Sequence, residues 1–299
     1  MRFLFVDRIT ELSQNLVAQG CKHVTRDDYY LCQDPQGAWC FVPSLMGETL
    51  GQLAAWHVMM KHDFRLRPVA GIAACATFYR PAYVGETLWL ETHLDALDQT
   101  AVQYHGEARI GDEVVFRLDG ALGPLLPMEE FIDVDLVRAQ FHEINRPLLP
   151  SHIDPPEMPI ADQDQLLPLA TGARVAPIGF DRVLNEEVGV SLTAVKSITR
   201  AAPYFPDHFP NKPVLPMTIL LESFLNLTQE FIQRAGYSGV YVCHKMRRVK
   251  MSGFISPGDI VIGILTLKQQ TDAELVFTCR TDVSGKRIGV LEITMKLAR

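Results

Sequence analysis

The chain repeats itself. FLFVDRITEL (3–12) has a counterpart in IGFDRVLNEE (178–187), which sets Asp7-Arg8 against Asp181-Arg182 at an offset of 174 positions. GETLGQL (47–53) against LESFLNL (221–227) places Glu48 on Glu222, and RIGDEVVFRLDGAL (109–122) against VSGKRIGVLEITMK (283–296) places Gly111 on Gly285, both at the same offset. VGETLWLETHL (84–94) matches PGDIVIGILTL (257–267) with a one-residue slip. Landmarks in one order at nearly one spacing point to two related units, and an internal period decides architecture before local propensity does. The 299 residues therefore divide into an N-terminal repeat (1–126), a connector (127–172) and a C-terminal repeat (173–299). The connector opens as an amphipathic helix and then becomes rich in Pro and Asp, a composition that suits an extended strap because proline lacks the amide donor that helices and sheets need.

Each repeat reads the same way. A strand and turn come first, then a loop, a long helix (43–60 and 215–235), and strands of period-two alternation such as TLWLETHLDAL, TAVQYHGEARI, IVIGILTLKQQ and LVFTCRTDV. Gly111 and Gly285 fall where hairpin turns are expected. One long helix with several strands per unit defines an α+β class, the sheet packed on the helix.

Composition narrows the function. A chain 47% hydrophobic and 21% charged buries a sizeable core, and its net charge of −7 sets nucleic acid aside as a partner. The six cysteines (21, 32, 40, 75, 243, 279) contain no C-x-x-C, so the reading is free thiols in a reducing compartment, with no metal and no cofactor expected. The apolar run before Asp7 is too short for a signal peptide, and no stretch approaches the roughly 20 apolar residues of a membrane span, which places the protein in the cytoplasm.

The helices carry the informative polar residues. Ser44, Glu48 and Gln52 recur every four positions, and Thr218, Glu222 and Asn226 repeat the pattern, so each helix shows a narrow polar stripe on an apolar or small-residue surface. No full charge follows Glu48 until Lys61, so the helix is expected to be enclosed. An enclosed carboxylate tends toward a raised pKa, which suits a general acid; the alternative is that both glutamates face water. Ahead of the second helix, PYFPDHFPNKPVLPM holds His208 among four prolines from Pro206 to Pro216. Such a loop is stiff, and the helix start that follows offers amide donors to a developing oxyanion.

HFPNKPVLPMTILLE resembles the signature of the 3-hydroxyacyl-[acyl-carrier-protein] dehydratases, a hot-dog-fold family marked by His-Phe-Pro-Gly-x-Pro, two apolar residues and Pro-Gly before a long helix bearing Glu or Asp. The histidine, prolines and fourteen-residue spacing are kept, with Asn211 and Met217 in place of the two glycines. FVDRI, FDRV, KMRRVKMSGFISPGD (245–259) and ATFYRPAYVGE (76–86) are also similar to the family. The resemblance implies two tandem hot-dog domains, each an antiparallel sheet wrapped around a long central helix, paired as a pseudo-dimer. It further implies that each active site takes its histidine from one unit and its carboxylate from the other, so that His208 meets Glu48 and not Glu222.

The reciprocal site would need a histidine at position 34, where Asp34 stands, so Asp34 and Glu222 are expected to mark a degenerate second site. The resemblance makes His208 the base, oriented by the Val214 carbonyl, Glu48 the acid, and the Met217 amide the oxyanion donor. The implied reaction is dehydration of a 3-hydroxyacyl thioester on acyl carrier protein or coenzyme A. Lys245, Arg247, Arg248 and Lys250 would form the docking surface for an acidic carrier, the alternative being an ordinary solvated strand edge. Rival readings are a coenzyme A hydratase, a hot-dog thioesterase and a non-catalytic acyl-binding or partner subunit. A dimer of such pseudo-dimeric chains is compatible with all of them.

Overall fold

A computed structural model describes residues 3–13, 16–147 and 178–298. In chain order the elements are strands β1 (Arg8–Leu12), β2 (Val17–His23), β3 (Leu31–Gln33) and β4 (Trp39–Phe41), then helix α1 (Pro43–Lys61). β5 (Leu66–Pro68), β6 (Ile72–Phe78), β7 (Thr87–Leu97), β8 (Ala101–Ile110) and β9 (Glu113–Pro127) complete the first repeat. A 3-10 turn (Met128–Glu130) and helix α2 (Val134–Ile144) begin the connector; its residues 148–172 lie outside the described residues. The second repeat carries β10 (Arg182–Glu187), β11 (Ser191–Ser197), α3 (Met217–Arg234), β12 (Tyr241–Met251), β13 (Ile260–Gln270), β14 (Glu274–Val283) and β15 (Lys286–Leu297).

The strands form a 13-stranded sheet in the order β1-β2-β7-β8-β9-β6-β12-β15-β14-β13-β11-β10, with β5 pairing on β9; β3 and β4 make a separate hairpin. Counted outward from the centre, each strand of one half has its counterpart at the same place in the other, as the sequence repeat requires. The halves join through antiparallel β6 and β12, where Met246 faces Ala76 and Lys250 faces Ile72. These two pairs exchange under the 174-residue offset, so the junction has a pseudo-twofold axis.

The period-two stretches form strands because alternate residues enter the core. β7 and β13 bury every second side chain over most of their length, and Gly111 (φ 56°) and Gly285 (φ 75°) take the left-handed conformation that tight hairpins demand. Each half curls around its own long helix, with Leu45, Leu50 and Leu53 of α1 and Phe224 and Phe231 of α3 pressed into the sheet. Two hot-dog units side by side are the result. α3 starts at Met217 and not at 215, because Leu215 and Pro216 stay extended to bring the loop into the helix. Among the described residues no helix is long and apolar enough to cross a membrane.

Candidate active site between the repeats

Neither long helix has a side-chain cap at its start: α1 begins after Val42 and α3 after Pro216. The first amides of a helix have no intrahelical acceptor and carry the positive end of its dipole, so an uncapped start favours negative charge. Here that charge comes from the opposite helix. The Ser44 amide donates to Glu222 Oε2 at 3.2 Å, and the Thr218 hydroxyl donates to Glu48 Oε2 at 2.8 Å. Ser44 and Thr218 are themselves 174 positions apart, so the same residue pair meets in both halves, through the backbone amide in one and the side-chain hydroxyl in the other.

The polar stripes are used alike. Gln52 donates from Nε2 to Glu48 Oε1 (3.1 Å) and to the Phe3 carbonyl (3.1 Å), and its Oε1 accepts from the Phe5 amide (2.8 Å). Asn226 reaches the Ile178 carbonyl in the second repeat. The segment that opens each repeat is thereby tied to the central helix.

His208 is fixed on several sides. Its Nδ1 lies 3.0 Å from the Val214 carbonyl, which can only accept, so Nδ1 carries the proton and Nε2 keeps its lone pair. The imidazole stacks on Phe209 with centroids 4.1 Å apart, and Phe3 packs edge-on against it at 5.7 Å. The preceding Asp207 accepts the Phe3 amide at 2.7 Å. Burial holds the imidazole below its usual pKa, the nearby Glu48 carboxylate opposing that shift. The neutral, proton-accepting form is favoured.

His208, Glu48, Val214, Met217 and Thr218 line one cavity of about 260 Å3, which runs into the first repeat between α1 and the sheet. Two glycines of α1, Gly47 and Gly51, are among its lining residues. A Cβ at Gly47 would come 3.4 Å from the Phe116 ring, and one at Gly51 would come 3.4 Å from the Tyr104 hydroxyl. The equivalent positions of α3 hold Leu221 and Leu225, both buried.

The residues expected at a second site are arranged differently. Asp34 turns the β3–β4 hairpin, accepting the amides of Gln36 and Ala38, and takes the Tyr83 hydroxyl at 2.9 Å. Glu222 is 6% exposed, and burial raises its carboxyl pKa. The Cys32 and Cys40 thiols approach to 3.6 Å across that hairpin, and all six cysteines are free. On β12, Arg247, Arg248 and Lys250 are exposed and Lys245 is half-buried, with Arg248 paired to Glu292 at 3.1 Å. Among the described residues no cluster of three or more His, Cys, Asp or Glu could hold a metal ion.

Sequence reasoning singled out Thr218 and Gln52 as members of stripes without foreseeing that both hold Glu48. The spacing to Glu48 offered a signal for Gln52. Thr218 meets Glu48 only through the packing of the repeats, and Arg67, which also lines the cavity, lies in a segment with no motif.

The family model described as a FabA-like domain matches residues 179–292. The chain is 30% identical over 112 residues to the 3-hydroxyacyl-[acyl-carrier-protein] dehydratase FabZ of Nitrosospira multiformis, covering 36% of this chain and 76% of that one. In architecture it is similar to the dehydratase domain of PpsC from Mycobacterium tuberculosis, solved with C12:1-CoA (TM-score 0.53, 15% identity, 98% of each chain covered). It is also similar to the 12:0-ACP thioesterase of Umbellularia californica (TM-score 0.54, 13% identity, 95% of each chain).

Proposed function

Because the chain belongs to the 3-hydroxyacyl-[acyl-carrier-protein] dehydratase family, we propose that it removes water from a 3-hydroxyacyl thioester at one active site assembled from both repeats. The observation that carries this reading is that His208, oriented by Val214, opens onto the same cavity as Glu48 of the other repeat.

In the proposed reaction His208 Nε2 takes a proton from the α-carbon. The released electron pair moves onto the thioester oxygen, where the Met217 amide at the start of α3 stabilises it. As the pair returns to form the α–β double bond, the β-carbon–oxygen bond breaks and the Glu48 carboxyl gives its proton to the departing hydroxyl, which leaves as water. The Thr218 hydroxyl and the Gln52 amide aim Glu48 at that oxygen. The proton on His208 then returns through solvent to Glu48, and the site is reset.

Only one of the two sites is proposed to work, since Asp34 replaces the histidine that Glu222 would need. The helices support the same asymmetry: Gly47 and Gly51 line the cavity, and their counterparts on α3 are the bulkier, buried Leu221 and Leu225. One chain supplies both halves, so catalysis needs no second copy. We place the repeats at 1–126 and 173–299, with 127–172 as the strap between them. The carrier protein is proposed to dock on the exposed Arg247, Arg248 and Lys250, whose charge suits an acidic partner.

The thioesterase likeness defines a second reading in which water attacks the carbonyl. Incubation of the full chain with crotonyl thioesters, on carrier protein and on coenzyme A, separates the two. Formation of the 3-hydroxyacyl thioester is expected. Release of free acid favours the thioesterase, and absence of either product contradicts an enzymatic role on these substrates.

A further inference from the structure

Dehydration does not use one charged group in the cavity. Arg67, the middle residue of β5, faces Leu126 of β9 in register. Its guanidinium carbon lies 4.0 Å from the centre of the Phe209 ring, the ring on which His208 stacks at 4.1 Å. Arg67 and His208 thus pack on the same Phe209 ring, which places a cation beside the base.

Two other enclosed cations of the chain have a carboxylate partner. Arg80 meets Glu86 at 3.0 Å and Glu113 at 2.9 Å, and Lys22 meets Asp28 at 2.8 Å. Among the described residues Arg67 has no such partner. Its Nη1 has only the Met59 sulfur at 4.0 Å, and its Nε is buried without an acceptor. Burial lowers its pKa to about 10, with the Glu48 carboxylate opposing the shift, so it stays charged at neutral pH. Enclosing a cation with unsatisfied donors is unfavourable unless a ligand supplies the missing acceptors. The equivalent position in the second repeat is Tyr241, so the cation accompanies only the His208–Glu48 side.

We propose that Arg67 binds a carboxylate carried by the acyl group, making acidic acyl thioesters the preferred substrate class. The phosphate of a pantetheine arm is the other common anion of such substrates, but the whole arm separates it from the thioester, whereas Arg67 packs on the same ring as His208. Arg67 is thus placed to read the acyl group and not the carrier.

This inference rests on the acyl-thioester reading, which crotonyl hydration tests separately, so its own test is a binding measurement without turnover. Adipoyl- and hexanoyl-N-acetylcysteamine thioesters, equal in carbon number and free of phosphate, are titrated calorimetrically into the full chain. A charge-assisted pair predicts that adipoyl binds about tenfold more tightly or better, that Arg67→Met removes the preference, and that Arg67→Lys keeps part of it. Thermal melting of each variant identifies any loss due to misfolding, and the charge-retaining Arg67→Lys then decides the case. Equal affinity of the wild-type chain for both thioesters overturns the proposal, as does a preference that survives Arg67→Met. A loss on Arg67→Met confined to coenzyme A thioesters also overturns it, because the phosphate would then be the ligand.

Discussion

Thr218, in the first turn of one central helix, donates its hydroxyl to Glu48 in the second turn of the other at 2.8 Å, and so joins the two repeats at the cavity wall. A hydrogen bond to an ionisable group contributes about 1.5–3 kcal/mol. Thr218→Val is therefore expected to lower kcat/KM for hydration of an enoyl thioester by about tenfold or more. Thr218→Ser, which keeps the hydroxyl, should restore most of it. Steady-state kinetics on both variants checks this, and parallel losses in the two would show that the methyl group matters and the hydroxyl does not.

Gly51 lines the cavity, and its counterpart in the second repeat is the buried Leu225. Gly51→Leu copies that residue and gains helix propensity, but its side chain presses on the Tyr104 hydroxyl, so thermal melting verifies the fold before kinetics are read. Activity toward an eight-carbon enoyl thioester is expected to fall at least as far as about the tenfold that a misfitted pocket produces, while crotonyl turnover changes little. A chain-length series of kcat/KM values reads this directly; uniform loss across the series would move the acyl chain elsewhere.

Glu222 carries a stability prediction. Burial raises its folded pKa above the unfolded value, so the unfolded chain gives up this proton first as pH rises. The contribution of Glu222 to stability is therefore fully present below its unfolded pKa and diminishes as pH climbs toward the folded value. Glu222→Gln keeps an acceptor for the Ser44 amide and removes the titration. Its melting temperature should exceed the wild-type value at pH 8, by roughly 2–4 °C per kcal/mol for a chain of this order of size, and converge with it near pH 4. Melting curves at the two pH values test the sign.

Much of this was legible in the sequence, for physical reasons that differ by residue. The 174-residue offset placed Glu48 and Glu222 on matched helices, and the structure adds that each meets the start of the other helix. The prolines indicated a stiff loop around His208, while its bond to Val214 was expected only from the family resemblance. Arg67 was silent because its surroundings, Phe209 and Met59, lie on other elements that only tertiary packing brings together. The cavity was silent for a related reason: Gly47, Gly51, Phe116 and Tyr104 come to line it only through tertiary packing. Strand alternation was expected to face only part of the basic cluster outward, and Lys245 is half-buried while Arg247, Arg248 and Lys250 are exposed.

His208 is proposed to work with Glu48 across the repeats and not with Glu222, fourteen residues along its own chain segment. Hydration of a crotonyl thioester by His208→Ala, Glu48→Gln and Glu222→Gln, with folding verified for each, tests it most directly. Losses on the order of 10²–10⁴ are expected for the first two and retention of most activity for the third. Loss of activity by Glu222→Gln to the level of His208→Ala, with Glu48→Gln still active, would contradict it.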